Sequence, residues 1–156
     1  MSYRVGMGVD AHAFAEGVPL VLAGVPFDSP RGLAGHSDGD VITHALIDAV
    51  LGAAGLGDIG SLFPSDASTP AGISSLDLLR DAVGQVRAAG YDVVNADCIL
   101  IGEAPRISGR RDELQHTLSE LVGAPVSVRA TTTDKLGFTG RGEGLAAEAV
   151  ALLRRT

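Results

Sequence analysis

One cysteine, no tryptophan and 4% aromatic residues in a chain of 156 exclude several function classes at once. Cys98 has no partner within the chain and sits in the apolar stretch Ala96 to Ile101, so it reads as a reduced core residue of a cytosolic protein, not as part of a disulfide framework. The scarcity of aromatics leaves little for base-stacking platforms. Positive charge is also short: 12 Lys and Arg face 19 Asp and Glu, for a net charge of −7. That balance weighs against unspecific nucleic-acid binding, which needs a basic surface to displace counterions. It does not exclude a phosphorylated small molecule, because a bound divalent cation outweighs distant carboxylates. Asp48 interrupts the apolar stretch Ala45 to Leu56, and no basic-then-apolar leader precedes Tyr3, so a cytoplasmic, soluble product is expected.

A chain of this length with 46% hydrophobic residues can bury one core without cross-links, and one domain over residues 1–156 is expected. Twenty-one glycines and seven prolines mark many sharp turns. Tyr3 to Val9 and Val18 to Val25 read as short strands, with Pro26, Pro30 and Gly32 opening a loop that holds His36. Ser37 or Asp38 can cap a helix from about Asp40 to Ala54, whose apolar face is Val41, Ile42, Ala45, Leu46, Ala49 and Val50. A second helix starts at Ser74 or Ser75 and ends at Gly90. Tyr91 to Ile101 is a β-branched-rich strand, Ser108 to Val122 a helix, and Pro125 to Thr132 an alternating, half-exposed strand. Leu145 to Leu153 fits helix or strand. Interleaved strands and helices with hairpin-like pairs point to an α+β fold, a mixed sheet with helices on one face.

Three of the four histidines lie beside carboxylates, in Asp10-Ala11-His12 and in His36-Ser37-Asp38-Gly39-Asp40 followed by His44. Residues i and i+2 of a strand face the same way, so Asp10 and His12 can close on one ion from one side. His44, from a helix, can supply a third ligand and leave the fourth position of a tetrahedral zinc open to water or substrate. A lone histidine is more often a solvated or core residue; the grouping is what favours metal. On the helix, His44 shares a stripe with Asp40 and Asp48, so one of these carboxylates is expected to hold its second ring nitrogen.

A second cluster, Ala130 to Gly144, combines Thr131, Thr132 and Thr133 with Asp134, Lys135 and a run of glycines. Consecutive hydroxyls, a carboxylate for a hard cation and approachable backbone amides suit a diphosphate. It matches neither the P-loop nor the dinucleotide fingerprint, and a glycine-rich strand connection explains it equally well when taken alone.

Together, Gly8 to Phe14, His36 to Asp40, His44-Ala45-Leu46, Leu56 to Gly60 with Phe63-Pro64, Ala104-Pro105-Arg106 and Thr131 to Gly144 resemble the 2-C-methyl-D-erythritol 2,4-cyclodiphosphate synthases of non-mevalonate isoprenoid biosynthesis. The resemblance implies a ferredoxin-like homotrimer with active sites between subunits, and it makes the ambiguous tail a strand. It implies a lyase that converts 4-diphosphocytidyl-2-C-methyl-D-erythritol 2-phosphate to the cyclic diphosphate and CMP. Carried over by motif, Asp10, His12 and His44 hold Zn2+, and Asp134, where the family commonly has Glu, holds Mg2+ or Mn2+. His36 and Thr132 orient phosphate oxygens in the transition state, with Ser37, Thr131 and Thr133 as supporting donors. Asp58, Ile59 and Gly60 match ribose contacts. Gly102, Ala104, Pro105, Arg106, Ile107 and Ser108 match a cytidine pocket supplied by the adjacent subunit, Arg106 standing where Lys is common.

Further departures follow. Phe63-Pro64 continues as Ser65-Asp66-Ala67 where the family has Asp-Thr-Asp, which leaves Asp66 as the carboxylate facing the methylerythritol part. Phe138 belongs to the phosphate signature. Arg141 and Glu143 match the mouth of a central trimer cavity able to take an isoprenoid diphosphate, or form an intersubunit salt bridge. Two other classes use the same residues: a zinc phosphoester hydrolase would activate water at Asp10, His12 and His44, and an isoprenoid-binding trimer would need Arg141 but no zinc.

Overall fold

The structure, a computed structural model, describes residues 2–156. Its first strand, β1 (Tyr3–Glu16), extends well past Val9 and carries Asp10 and His12. The segment expected as one strand over Val18 to Val25 is instead a hairpin, β2 (Leu20–Leu22) and β3 (Val25–Phe27). Ala23 and Gly24 both take positive φ, 53° and 76°. This is the twist a two-residue hairpin demands, and a glycine in the second place supplies it without strain. The expected loop around Gly32 contains a short strand, β4 (Arg31–Leu33), paired with the end of β1.

Helix α1 spans Val41–Ala54, as its apolar period predicts, but its N-cap is Asp40 and not Ser37 or Asp38. A single-turn helix, α2 (Ile59–Leu62), follows, then α3 (Ser75–Ala88). Strand β5 is Tyr91–Ile101; a 3₁₀ turn (Ser108–Arg110) leads into α4 (Arg111–Val122), and β6 is Val126–Thr131. A last short helix, α5 (Gly137–Gly140), precedes β7 (Gly144–Arg155), so the ambiguous tail is a strand.

The main sheet runs β4-β1-β7-β5-β6. β1 and β5 flank β7 antiparallel, while β5 and β6 are parallel, which requires the crossover through α4. The sheet is therefore mixed and the fold α+β. Its succession of main elements is β-α-β-α-β-β, which differs from the ferredoxin-like β-α-β-β-α-β order; the parallel β5–β6 pair is the reason.

Helices cover one face, where Leu145, Ala147, Ala149, Ala151 and Leu153 of β7 meet Ile42, Leu46 and Val50 of α1 in the core. Small residues bring helix and strand close. A Cβ built on Gly8 would stand 2.9 Å from the Ala45 carbonyl carbon and the Ala49 nitrogen, and closer still to the Ala45 oxygen. Only glycine fits there. The opposite face of the sheet is bare: Val5, Met7, Val9 and Val150 are exposed.

Candidate active site and metal centre

The contact between Gly8 and Ala45 sets the distance between the two elements that carry the histidines. Beside this contact, two and four residues on from Gly8 along β1, Asp10 and His12 project toward His44, the neighbour of Ala45 on α1. Asp10 Oδ2 lies 2.7 Å from His12 Nε2 and 3.1 Å from His44 Nδ1, and the two ring nitrogens are 3.3 Å apart. These three form the one cluster of potential metal ligands found among the described residues.

The hydrogen bond behind His12 sets which of its ring nitrogens faces inward. His12 Nδ1–H donates to the Ala34 carbonyl at 2.8 Å, so the neutral ring presents a bare Nε2 inward. His44 Nε2 faces away, 2.8 Å from Ser75 Oγ and 2.9 Å from Ser37 Oγ, which leaves Nδ1 toward Asp10. Two imidazole nitrogens and a carboxylate oxygen converge, an arrangement suited to a cation or a proton. A proton shows the same pull: the Asp10 hydrogen bond pushes the His12 pKa up against the effect of burial. Burial works to raise the Asp10 carboxyl, but the two histidines together hold it down to about 2.

Neither carboxylate expected behind His44 is there. Asp40 is fully buried and accepts from Ala23 N at 2.9 Å, Gly24 N at 2.7 Å, Thr43 N at 3.1 Å and Thr43 Oγ1 at 2.7 Å. It ties the β2–β3 turn to the start of α1. Asp48 accepts from Ile59 N at 2.7 Å and anchors α2. Both were correctly placed on the His44 stripe, but backbone amides from other segments compete for them and win.

The centre opens into a cleft of about 180 Å3 lined by Asp10, His12, His36, Ser37, His44, Ile59, Gly60, Phe63, Ser65, Thr69 and Leu78. His36 Nε2–H donates to the Thr69 carbonyl at 2.6 Å, which leaves Nδ1 as the ring's acceptor. Asp58 borders this region as the N-cap of α2, its carboxylate accepting from Ser61 N at 2.8 Å. Asp66 does not line the cleft. It is exposed and accepts from Ser68 N and Oγ, which hold its pKa below the ordinary carboxylate value, and the neighbouring Ser65 takes the lining position. Thr69, Leu78 and Ser75 escaped the sequence reading. Thr69 acts through its backbone, Leu78 belongs to an apolar helix face, and Ser75 reads as an ordinary helix start.

Most of the remaining predicted residues lie toward the far side of the sheet, whereas Arg141 and Glu143 sit where β7 meets β1, the Glu143 carbonyl accepting from Phe14 N at 3.0 Å. Thr131 ends β6, and Gly102 with Ala104 to Ser108 follows β5; Ala104-Pro105 is a cis peptide. From β1 through β7 and β5 to β6 are three strand spacings, roughly 14 Å, so Thr132, Asp134 and Arg106 do not line the cleft of their own chain. Within this group Asp134 and Lys135 hold left-handed conformations, and Thr133 Oγ1 lies 2.9 Å from Thr139 Oγ1 beside exposed Phe138. Arg141 pairs with Glu143 of the same chain at 2.5 Å.

Fold and site together define a mixed-sheet α+β protein with a two-histidine, one-carboxylate centre between its first strand and first helix. The chain belongs to the YgbB family, whose model matches residues 3–154. It is 53% identical to the 2-C-methyl-D-erythritol 2,4-cyclodiphosphate synthase of Alkalilimnicola ehrlichii, over 97% of this chain and 95% of that one. Among solved structures, the IspF–CDP complex of Plasmodium falciparum superposes with a TM-score of 0.86 at 32% identity, covering 99% of this chain and 97% of the other. The bifunctional IspDF of Campylobacter jejuni superposes with a TM-score of 0.95 at 39% identity; there 99% of this chain corresponds to 43% of the longer one. No helix among the described residues is long and apolar enough to cross a membrane.

Proposed function

We propose that this protein is a 2-C-methyl-D-erythritol 2,4-cyclodiphosphate synthase, converting 4-diphosphocytidyl-2-C-methyl-D-erythritol 2-phosphate to the cyclic diphosphate and CMP. The observation that carries the reading is the meeting of Asp10 Oδ2, His12 Nε2 and His44 Nδ1 at one point, in a member of a family whose relatives bear that activity by name. Ligands at about 2.0–2.1 Å around a tetrahedral zinc stand about 3.3–3.4 Å apart. The observed spacings of 2.7, 3.1 and 3.3 Å lie close to that. Two imidazoles and one carboxylate suit zinc, with a fourth corner toward the cleft. When bound, the zinc supplies Lewis acidity to the β-phosphate oxygens.

The reaction needs no protein nucleophile. A 2-phosphate oxygen of the substrate forms a bond to the β-phosphorus, the bridge to the α-phosphate breaks, and CMP leaves with the electron pair. The chain's work is positioning and neutralisation of charge. His36, braced by the Thr69 carbonyl, faces the phosphates through Nδ1, and Ser37 adds a hydroxyl. Ile59, Phe63 and Leu78 supply an apolar wall for the methylerythritol carbons.

A cleft of 180 Å3 falls short of the 300–1,000 Å3 common for small-molecule sites. We infer that a neighbouring copy completes it. Thr132 as phosphate donor, Asp134 as the ligand of Mg2+ or Mn2+, and the cytidine pocket at Gly102 to Ser108 stand across the sheet from their own chain's centre, where a homotrimer would present them to an adjacent one. The bare face supports this, with Val5 70%, Met7 68% and Val9 55% exposed. Such an assembly would turn that face toward a central cavity, the place for an isoprenoid diphosphate near Arg141. Incubation with the cytidyl substrate decides among readings: cyclic product with CMP, lost on chelation and restored by zinc, is expected. A linear phosphate product would make the protein a hydrolase, and unaltered substrate would leave only a binding protein.

A further inference from the structure

To ligate a metal His44 must offer a bare Nδ1, yet its neighbours pull the ring proton in opposite directions. Asp10 Oδ2, 3.1 Å from Nδ1, draws a proton to that nitrogen. Ser75 Oγ, 2.8 Å from Nε2, draws it to the other, provided the serine's own hydrogen is engaged elsewhere. It is engaged: Ser75 Oγ donates to Asp38 Oδ1. Asp38 is itself fixed, accepting from Ser75 N at 3.0 Å through Oδ2 and from Asp40 N at 3.1 Å through Oδ1. Ser37 Oγ, 2.9 Å from Nε2, can donate or accept and so follows the choice instead of making it. Ser75 is fully buried, which leaves no solvent to substitute for it.

We propose that Ser75, backed by Asp38, is a positioning residue that fixes His44 as its Nε2–H tautomer and thereby aims the Nδ1 lone pair at the metal. The proposal rests on the metal-centre reading above and adds to it the partner of the helix-borne ligand. The relay joins the start of α3 to α1 across 31 residues, which explains why a serine at a helix start should be buried. It also gives Asp38 a purpose distinct from that of Asp40: one orients a ligand, the other holds the turn that precedes the helix.

The test uses the whole purified protein stripped of metal. Nitrogen-15 NMR of the imidazoles in unaltered protein, above neutral pH, should show His44 protonated at Nε2 and bare at Nδ1. A His44 ring protonated at Nδ1 overturns the proposal without any variant being made. Zinc affinity, read by competition with a chelating dye, should fall about 10–100-fold in Ser75→Ala. Ser75→Thr, which keeps the hydroxyl, should recover most of that loss, and the cobalt(II) absorption bands should shift in Ser75→Ala alone. A folded Ser75→Ala with unaltered affinity and cobalt spectrum, or a Ser75→Thr as impaired as the alanine variant, rejects the role of the hydroxyl while leaving the metal centre intact. Unaltered protein that takes up no zinc removes the metal centre and the proposal together.

Discussion

Replacing Gly8 by alanine tests whether the metal centre depends on how closely α1 rests on β1. The added Cβ would lie 2.9 Å from Ala45 C and Ala49 N, and nearer to the Ala45 oxygen. Unstrained carbon contacts need about 3.5–4.0 Å, so helix and strand must part by roughly 1 Å. Neither yields through a rotamer, since every atom involved is backbone and β1 is hydrogen-bonded to β7 along Tyr3 to Ala13. Overpacking of this kind costs about 1–3 kcal/mol, and a contact with rigid backbone belongs at the upper end. The same separation carries His44 Nδ1 away from Asp10 and His12, from 3.1 and 3.3 Å toward about 4 Å, where bonds near 2.0–2.1 Å would have to open from the tetrahedral angle to roughly 150°. Zinc affinity should therefore fall by about 100-fold or more, exceeding the usual effect of a lost outer hydrogen bond. Denaturant unfolding and dye-competition zinc binding measure the two consequences. Gly52→Ala on the exposed side of the same helix, where the nearest atom would be 4.0 Å away, is the control and should stabilise by up to about 1 kcal/mol. Gly8→Ala with stability and zinc affinity both matching the unaltered protein would refute the close seating of α1.

Asp40→Ala should destabilise by on the order of 3–5 kcal/mol, the sum of a lost helix cap and several buried donors left unpaired, with little direct effect on zinc in whatever folds; a loss below about 1 kcal/mol in denaturant melts would contradict its bracing role. Burial, reinforced by the negative charges of Asp97 and Asp40, pushes the Cys98 thiol up to about 12. Because burial disfavours the thiolate, alkylation of the native protein at pH 8 should proceed only as fast as unfolding exposes Cys98. Rapid modification of folded protein would show the core open at that point.

Strong local periods made most of the fold legible. The apolar stripe of α1, the alternation of β6 and the β-branched run of β5 each appear in the structure where the pattern put them. The hairpin at Ala23 was missed because alanine gives no sign of positive φ, and β4 because three residues around Gly32 read as loop. The centre was legible for a geometric reason: Asp10 and His12 share a strand face, and an approaching helix needs only one further ligand. What lay behind His44 was not. Helical spacing placed Asp40 and Asp48 correctly on its stripe, but spacing along one helix says nothing about donors arriving from the β2–β3 turn, from Ile59 or from Ser75. Nor does spacing along a chain show that the Thr131 to Asp134 group stands three strands away from the first centre.

The two-residue period of β1 puts Gly6, Gly8, Asp10 and His12 on one side and Val5, Met7 and Val9 on the other. Loss or gain of a single residue just after Val5 would therefore turn Asp10 and His12 outward and swing Met7 and Val9 beneath α1 in the same stroke. The length of this segment is thus locked from both sides, and a natural variant carrying such an indel should have lost both the convergence of Asp10 and His12 on His44 and its outer apolar surface.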